Sequence, residues 1–408
     1  MKWQIAKLKD IALNEKGSIV SGPFGSNISS RFFVDEGIPV IRGNNLTKGE
    51  KKFIDDGFVY LTEIKAAEFK NCNAIKEDII FTAAGSIGQV GIIPDNTRFK
   101  RYIISNKQLR VRIDKSKAIP LFVYYWLATS RMIGYLEGMN NGGAVPLLNL
   151  GIIRKVPIPV PPLVIQTKIC EIISNYNDQI ENNNQRIKLL EEAAHLIFRE
   201  WFVYYRFPGH DKVKLVDSVP EVWKREKLKK LVNFKRGIEP GSDNYLENND
   251  DGLFPFYRVS DLITRKPGIF VDEQYVKEAI LKGKDIVVSL DGSVGIVSMG
   301  LYGGYSSGIR KLIIKNNKIN RAFLYLLMKS SYIQGIINAY SKGTTIQHAG
   351  ESINYMNPLL PTKDLMDKFG EIAEPVLDEM LILLNQNQKL TKARDLLLPK
   401  LMSGAIEV

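Results

Sequence analysis

The run Pro157-Ile-Pro-Val-Pro-Pro162 separates a segment of mixed character from a long helical one, and it sets the organisation of the whole chain. Beyond it, apolar residues recur at steps of three and four as far as Trp201, which is typical of a helix face that packs on a partner helix. The same pattern returns 200 residues later, after Pro358 and Pro361. The sequence therefore predicts two long helices, each roughly 55 Å in length at 1.5 Å per residue.

The apolar faces of the two helices are predicted to form a common seam. It comprises Ile165, Ile169, Ile172, Tyr176, Ile180, Asn183, Ile187, Leu190 and Ile197 on the first helix, and Leu365, Phe369, Ile372, Val376, Met380, Leu383, Asn387, Leu390 and Leu397 on the second. One Asn interrupts each half of the seam, and such a residue fixes the register of paired helices at some cost in stability. Two repeated units related by a pseudo-twofold axis would pair these helices antiparallel. Docking of each helix on its own globular domain is the alternative, which the length of the seam disfavours.

The segments that precede the two helices repeat each other. Each contains Pro-x-x-Arg, ending at Arg42 or Arg258, and later Gly-Ser-x-Gly, beginning at Gly85 or Gly292. The offset between matching positions falls from 216 at the arginines to 207 at the glycines and 200 in the helices. The two globular segments have therefore diverged, while the helices have stayed in step.

This organisation predicts an α+β protein: two mixed α/β domains separated by two long helices that form an antiparallel coiled coil, with a pseudo-twofold internal repeat. The predicted boundaries are 1–160 for the first globular domain, 161–203 for the first helix, 204–218 for a linker, 219–360 for the second globular domain, and 361–408 for the second helix and tail. Runs at 78–82, 111–113, 285–289 and 312–314 predict strands, and 122–136 and 323–337 predict helices. The Gly-Ser-x-Gly motifs predict tight turns at strand ends.

The composition limits the partner and the compartment. A net charge of +12 with a pI near 9.3 favours a polyanionic partner, either nucleic acid or an anionic membrane surface. Two cysteines and three histidines form no recognisable disulfide framework or metal site. No apolar run approaches the ~18 residues of a membrane span and no signal core follows Met1, so we expect a cytoplasmic protein.

The sequence lacks the motifs of the catalytic functions considered. A phosphate-binding Gly-x4-Gly-Lys-[Ser/Thr] loop does not occur. The Asp/Asn-Pro-Pro-aromatic motif of amino-methyltransferases does not occur either, since Pro162 is followed by Leu163. His195 lies beside the seam and is interpreted as part of the helix packing. We therefore expect no catalytic residue, metal or cofactor in this chain.

Several segments resemble those of specificity subunits of Type I restriction–modification systems. They are 147–150, 156–163 with Gln166, 257–262, 78–91 and 196–202, and their order, repeated as domain and helix, covers essentially the whole chain. The second unit departs from the family pattern at Leu359-Leu360-Pro361. Pro375 lies inside the second predicted helix, where we expect it to cause a kink.

The resemblance implies a non-catalytic subunit whose two globular parts are target-recognition domains, each reading half of an asymmetric, split target in double-stranded DNA. It implies that the helices space these domains and dock two methyltransferase subunits, which restriction and translocase subunits join. S-adenosylmethionine, ATP and Mg are expected in those partners, and no contact with a membrane is expected. Two alternatives stay open: a related system with a fused methylase–nuclease partner, and a scaffold that does not bind DNA.

Polar residues on loops of the globular domains are the candidates for DNA contact, because Arg and Lys suit guanine edges and phosphates and Asn and Gln suit adenine. In the first domain they are Ser21, Ser26, Asn27, Arg42, Asn44, Asn45, Lys48 and Asn106. In the second they are Arg258, Ser260, Thr264, Arg265, Ser306, Arg310, Lys342, Thr344, Thr345 and Gln347. Arg42 and Arg258 stand in matching contexts, and pairing with a local carboxylate is the structural alternative for both.

Overall fold

The computed structural model describes residues 3–49, 51–139, 147–247, 252–343 and 347–408. The chain forms two compact units, the first made of residues 1–179 and 390–408 and the second of residues 180–389. Each unit therefore contains one globular segment together with part of each long helix.

The globular part of the first unit is built on two sheets. Its strands are β1 (Ile5–Lys7), β2 (Ile19–Ser21), β3 (Phe33–Val34), β4 (Ile38–Ile41), β5 (Val59–Leu61), β6 (Asn73–Ala74), β7 (Ile79–Thr82), β8 (Val90–Ile92), β9 (Tyr102–Ile104), β10 (Gln108–Val111) and β11 (Pro157–Pro159). Its helices are α1 (Leu8–Ile11), α2 (Glu63–Ala67), α3 (Pro120–Leu127), α4 (Ser130–Gly138) and α5 (Leu150–Lys155), and the long helix α6 (Leu163–Phe202) follows. One sheet has the order β2-β10-β7-β8 and the other β3-β5-β4-β9-β6, with β4 and β9 parallel. β1 pairs with β11, which ties the start of the unit to the residues that lead into α6.

The second unit repeats this topology. Its strands are β12 (Leu215–Val216), β13 (Val219–Pro220), β14 (Lys224–Arg225), β15 (Val232–Arg236), β16 (Leu253–Tyr257), β17 (Ile269–Asp272), β18 (Ile280–Leu281), β19 (Ile286–Ser289), β20 (Asp291–Gly292), β21 (Val297–Ser298), β22 (Gly303–Tyr305), β23 (Ile309–Ile314), β24 (Gln347–His348) and β25 (Leu359–Leu360). Its helices are α7 (Leu228–Leu231), α8 (Asp261–Thr264), α9 (Arg321–Lys329) and α10 (Ser331–Ala339), followed by the long helix α11 (Lys363–Ser403). The sheets have the orders β15-β23-β19-β21 and β17-β16-β22-β18, with β16 and β22 parallel, and β14 pairs with β25.

The central strands β7 and β19 confirm the predicted runs at 78–82 and 285–289. They are apolar without alternation because both of their faces are buried. Ile79 and Phe81 pack on one side against helices, whereas Ile80 packs on the other against the second sheet. Val288 and Val287 divide between two cores in the same way in the second unit.

The helices predicted at 122–136 and 323–337 were each wrong in one respect, since each is two short helices. The break in the first unit falls at Thr129, whose side chain accepts a hydrogen bond from the Met132 N–H and so starts α4. The break in the second unit falls at Ser330, which accepts from the Ile333 N–H and starts α10. Both residues are favoured N-caps, and this local hydrogen bond overrides the continuous apolar pattern.

The long helices α6 and α11 have 40 and 41 residues and run antiparallel within each unit. In the second unit, Asn183 Nδ2 donates to Asn387 Oδ1 at 2.9 Å, and Arg186 pairs with Glu379 at 2.8 Å. From the first contact to the second, the residue number increases along α6 and decreases along α11, as antiparallel helices require. In the first unit, Arg394 Nη1 donates to Asn177 Oδ1 at 2.8 Å, and the ends 401–402 and 169–173 share one apolar core. The predicted fold class is therefore confirmed.

One detail of α11 differs from the expectations. Ile372 was predicted in the seam but is 43% exposed, because the buried face continues from Phe369 through Ala373 and Leu377, at steps of four. The kink expected at Pro375 stays a prediction, because α11 continues through this residue and a continuous helix can still bend at a proline. Pro375 and Glu371, the residue whose carbonyl the proline cannot bond, are both exposed.

In the second unit, both long helices pack on the globular part as well as on each other. Phe198 of α6, Phe323 of α9 and Phe369 of α11 lie in one core. Glu191 of α6 accepts hydrogen bonds from Tyr325 and Lys329 of α9. The two arrangements treated as alternatives in the sequence therefore occur together.

The Asn183–Asn387 contact gives a test of the helix pairing. We expect Asn387→Ala to destabilise the chain by about 1–3 kcal/mol, because it leaves the fully buried Asn183 amide without its partner. The double variant Asn183→Leu, Asn387→Ile exchanges each Asn for the residue at its repeat position, Leu383 or Ile187. It should recover the lost stability, since no buried amide remains. The shift of the urea unfolding midpoint measures both effects, and equal midpoints for Asn387→Ala and the natural chain would contradict the prediction.

Candidate nucleic-acid interface

Five segments of the first unit meet at one end of its sheets, and we call this set its loop end: 22–28, 42–48, 83–89, 105–107 and 147–148. Backbone hydrogen bonds join them, from Gly22 N to Gln108 O (2.9 Å), Ser105 N to Ile41 O (3.0 Å), Ala83 N to Lys107 O (2.7 Å) and Leu148 N to Ala83 O (2.8 Å). The loop end is therefore held together by the backbone, and its side chains are free to differ.

The second unit has the same loop end, formed by 237–242, 258–265, 290–296, 306–308 and 347–349. The corresponding hydrogen bonds run from Gly237 N to Ile309 O (3.1 Å), Ser306 N to Tyr257 O (3.0 Å), Leu290 N to Gly308 O (2.9 Å) and Ala349 N to Leu290 O (2.7 Å). This one-to-one correspondence matches positions of the two units by geometry rather than by sequence identity.

The Gly-Ser-x-Gly motifs form the turns at the centre of each loop end. Gly85 and Gly88 both have φ of +92°, and Gly292 and Gly295 have φ of +83° and +84°. Residues with a Cβ are strained in this left-handed region. The motifs are therefore tight turns, as predicted.

Asn45 and Asp261 shape the segments that follow Arg42 and Arg258. Asn45 Oδ1 accepts from the Arg42 N–H at 2.9 Å, and Asp261 Oδ2 accepts from the Arg258 N–H at 2.8 Å. The Asn45 amide also donates to the carbonyls of Ile54 and Asp56, and the residue is fully buried. We therefore remove Asn45 from the candidate DNA contacts.

The two arginines in matching contexts have different surroundings. Arg42 is half-buried and its Nη2 donates to Gly57 O at 3.1 Å, an oxygen that also accepts from Asn44 Nδ2 at 3.0 Å. The Arg258 side chain is 49% exposed, with its Nε 3.9 Å from Asp261 Oδ2. Local carboxylate pairing therefore applies to Arg258, which still presents much of its guanidinium to solvent.

The remaining candidates of the first unit lie on its loop end or beside it. Ser21, Ser26, Asn27 and Asn106 are exposed around the segment 22–28. Lys48 is exposed and pairs with Glu137 of α4. These residues stay predictions for DNA contact.

Several candidates of the second unit are occupied inside the fold. Ser306 is buried, and the buried Arg310 donates from Nη2 to Asp291 Oδ2 at 2.9 Å. Arg265 adopts a left-handed backbone (φ +56°), and its Nε donates to Met299 O at 3.1 Å. We therefore remove Ser306 and Arg310 from the candidates, because burial closes them to a DNA edge.

Ser260 and Thr264 also bond within the segment, to Asp261 Oδ1 at 3.1 Å and to Asp261 O at 3.3 Å. Lys342 and Gln347 are exposed, and Lys342 pairs with Glu351 at 2.7 Å. Thr344 and Thr345 lie outside the described residues.

The Type I restriction modification DNA specificity domain matches residues 1–192 and 220–353, most of the chain. The chain belongs to this family. The predicted identification as a Type I specificity subunit is therefore confirmed, and each of the two matched regions includes the globular part of one unit.

Similar specificity subunits span the whole chain. The Type I restriction enzyme MjaIX specificity subunit of Methanocaldococcus jannaschii is 26% identical, over 100% of this chain and 94% of the relative. The HindI specificity subunit of Haemophilus influenzae is 22% identical, over 94% of this chain and 98% of the relative. The crystal structure of the Type-I restriction-modification system S subunit from M. genitalium covers 98% of this chain and 96% of its own, with a TM-score of 0.57 at 16% identity, and so shares the fold.

The specificity subunit has neither a metal cluster nor a membrane-spanning helix among its described residues. Within the described ranges, no group of three or more His, Cys, Asp or Glu side chains is placed to hold a metal ion. None of the helices in the described part of the chain is both long and apolar enough to span a membrane.

The sequence did not point to a charged group that fastens the last segment of the second loop end. His348 Nδ1 lies 2.8 Å from Asp291 Oδ1, β20 pairs with β24, and Lys342 and His348 exchange two backbone hydrogen bonds. Burial alone would raise the pKa of Asp291, but hydrogen bonds from His348 and Arg310 outweigh it and lower this pKa.

The matching positions of the first unit are apolar. Ala84 bridges Leu147 where Asp291 pairs with His348, and Leu109 stands where Arg310 does. The two loop ends are therefore closed by different chemistry on the same backbone. A sequence signal exists for the charged group only: Asp291 directly precedes the Gly-Ser turn. The apolar residues of the first unit give no such signal.

The contrast between the charged group of the second loop end and its apolar counterpart predicts what happens when the Asp291 carboxylate is removed. Asp291→Ala should destabilise the second unit by roughly 3 kcal/mol, since it leaves the buried Arg310 without its carboxylate. The double variant Asp291→Ala, Arg310→Leu reproduces the residues of the first unit and should regain most of the loss. Hydrogen exchange at the amides of residues 342–349 measures it.

The sign of the pH dependence follows from the lowered pKa of Asp291. The ionised Asp291 carboxylate stabilises the folded second unit. This contribution is complete above the usual pKa range of a carboxyl group and is lost only as pH falls through the lowered pKa of Asp291. Protection in Asp291→Ala equal to that of the natural chain at neutral pH would contradict the prediction.

Proposed function

We propose that this specificity subunit reads an asymmetric, bipartite site in double-stranded DNA, one half with each loop end. The observation that carries the proposal is that matching backbones present different side chains. Lys107 corresponds to Gly308, and the exposed Leu147 corresponds to the exposed His348. Base edges in the major groove are distinguished by the donors and acceptors that face them, so two such surfaces would select two different half-sites.

The basic charge of the chain supports DNA as the partner. Exposed cations on or beside the loop ends are Lys48 and Lys107 in the first unit and Arg236, Arg258 and Lys342 in the second. Contacts of Lys and Arg with phosphates position a protein on the duplex and make its affinity fall with salt. The net charge of +12 is consistent with this role.

We infer that the long helices determine the length of the spacer between the half-sites. Their antiparallel pairing is supported in each unit by its own contacts, and Asn183 and Asn387 fix the register in the second. A DNA turn is about 34–36 Å, so helices of this length suit half-sites somewhat more than one turn apart.

We also infer that the helices dock two copies of a methyltransferase subunit. Leu196 and Leu396 hold matching positions of the repeat, and both are exposed, at 56% and 58%. An exposed apolar side chain at the same place in each half suits two identical partners. S-adenosylmethionine would then be bound by these partners, and ATP and Mg by restriction and translocase subunits that join the complex.

The direct test is to map methylation by the reconstituted subunit and methyltransferase. We expect N6-methyladenine in two unlike half-sequences separated by a fixed spacer of unspecified bases. Single-molecule sequencing of methylated genomic DNA measures this. Methylation without a bipartite motif, or salt-independent absence of DNA binding by the complex, would reject the proposal.

Insertion of seven residues into each long helix tests the spacer. Seven residues preserve the apolar face and lengthen each helix by about 10 Å, so the mapped spacer should become longer while both half-sequences stay the same. An insertion of two residues is the control, because it rotates the rest of the helix by about 200° at 3.6 residues per turn, turns the apolar face away from its partner and should impair assembly. An unchanged spacer with the longer helices would reject the inference.

The docking of two methyltransferase subunits is tested by placing a negative charge at each exposed leucine. Leu196→Glu and Leu396→Glu should each remove one methyltransferase subunit, and the double variant both, because a carboxylate opposes burial of an apolar contact. Native mass spectrometry counts the bound subunits. Val164→Glu, at another exposed position of α6 whose repeat position is Asp364, is the control expected to leave two. Two subunits retained by the double variant would contradict this docking surface.

A further inference from the structure

Phe24 is an aromatic side chain that projects from the loop end of the first unit. It is 85% exposed, whereas most of the large apolar side chains of this unit are buried in its cores. It lies in the segment between β2 and the single helical turn Gly25–Ile28. Its exposure therefore calls for a partner outside the chain or for a role in the loop itself.

The backbone that carries Phe24 is fixed by its neighbours. A Cβ on Gly22 would lie 1.8 Å from Ser105 O, so the loop approaches the adjacent segment as closely as only Gly permits. The Asn27 N–H donates to Phe24 O at 2.9 Å, and Ile28 is 5% exposed. A side chain on such a fixed loop loses little conformational freedom when it binds.

The surroundings of Phe24 are polar and free of carboxylates. Residues 21–30 and 105–107 contain no Asp or Glu, and their exposed members are Ser21, Ser26, Asn27, Ser30, Asn106 and Lys107. Within these two segments Phe24 is the exposed large apolar side chain, whereas a protein-docking surface presents a contiguous apolar centre. One aromatic ring among hydrogen-bonding and basic groups is the pattern of surfaces that stack on nucleic-acid bases.

The second unit shows that the loop does not need an aromatic residue at this position. Gly237 corresponds to Gly22, since its N–H donates to Ile309 O as that of Gly22 does to Gln108 O, and a Cβ on it would lie 2.2 Å from Ser306 O. Counting from these glycines, Glu239 corresponds to Phe24.

Glu239 fastens the second loop from within. Its Oε1 accepts from the Ser307 N–H at 2.8 Å and from Ser307 Oγ at 2.7 Å, and its Oε2 accepts from Tyr245 at 2.8 Å. The same position is thus internally bonded in one unit and projects into solvent in the other.

We propose that Phe24 stacks between bases of the half-site read by the first unit and locally unstacks the duplex there, with no counterpart at position 239. The proposal rests on the DNA-reading function proposed above and adds a specific contact to it. Apolar side chains that enter a base step distort the duplex and gain contact area in return. The two half-sites would therefore differ in deformation as well as in sequence.

The experiment uses the subunit reconstituted with its methyltransferase and duplexes that carry the mapped site. 2-Aminopurine replaces, one at a time, each adenine that is not methylated in either half, and its fluorescence rises where a base is unstacked. The natural chain should raise the signal at a step of the first half-site, Phe24→Leu should retain much of the rise, and Phe24→Ala should lose it. Affinity of Phe24→Ala should fall about 5- to 100-fold, the range for loss of one stacked base.

Ile64→Ala is the matched control. Ile64 is 84% exposed in the same unit but lies on α2, outside the loop end, so its removal should change neither fluorescence nor affinity. Natural affinity and unstacking in Phe24→Ala would overturn the proposal. So would failure of Phe24→Ala to assemble with the methyltransferase without DNA, which would make Phe24 a protein-docking residue.

Failure of the broader function has a different signature. If the natural complex shows no preference for any DNA sequence, the DNA-reading function and the role of Phe24 are both rejected. Suppose instead that the natural complex is sequence-specific and that Phe24→Ala has the same affinity and fluorescence as the natural chain. The role of Phe24 is then rejected, and the DNA-reading function stands.

Discussion

The structure depends on the sharing of one apolar core, in each unit, between the long helices and the globular part. In the second unit the Phe202 ring lies 5.0 Å from Phe323 and 4.8 Å from Phe369, edge to face with both. Such contacts add to the burial of three large rings. Because α6 and α11 use the same core that supports the sheets, the pairing of the helices and the position of the loop end within that unit are set together.

This arrangement separates what must stay constant from what is free to change. The loop ends are joined by backbone hydrogen bonds, and glycines at matching positions allow the segments to approach each other. These backbone hydrogen bonds are common to both units, whereas side-chain bonds such as that of Arg310 to Asp291 are added in one unit only. Phe24 and Glu239 share a position, and so do Ala84 and Asp291, yet the backbone around them is the same. A recognition protein needs this independence, since a change of target must not cost the fold.

The fold could be predicted largely from the sequence because its signals are local and repeated. Steps of three and four over many turns identify a helix, and continuous apolar runs such as 79–82 identify a strand buried on both faces. The breaks at Thr129 and Ser330 were missed because a single side-chain hydrogen bond decides them within an uninterrupted apolar pattern. Ile372 was misplaced because the buried face between Phe369 and Met380 runs through Ala373 and Leu377.

The candidate site was much harder to predict, and the reason is physical. Asn45 and Arg310 have the side chains expected of DNA contacts, but burial turns both into structural residues. Phe24 was passed over because an aromatic residue is usually assigned to a core. By itself, the sequence determined the duplicated plan, the long helices and the family, all of which follow from periodicity and order along the chain. Only the tertiary structure decided which polar groups are already satisfied inside the loop ends and which face outward, because hydrogen-bond partners in a loop come from segments distant in sequence.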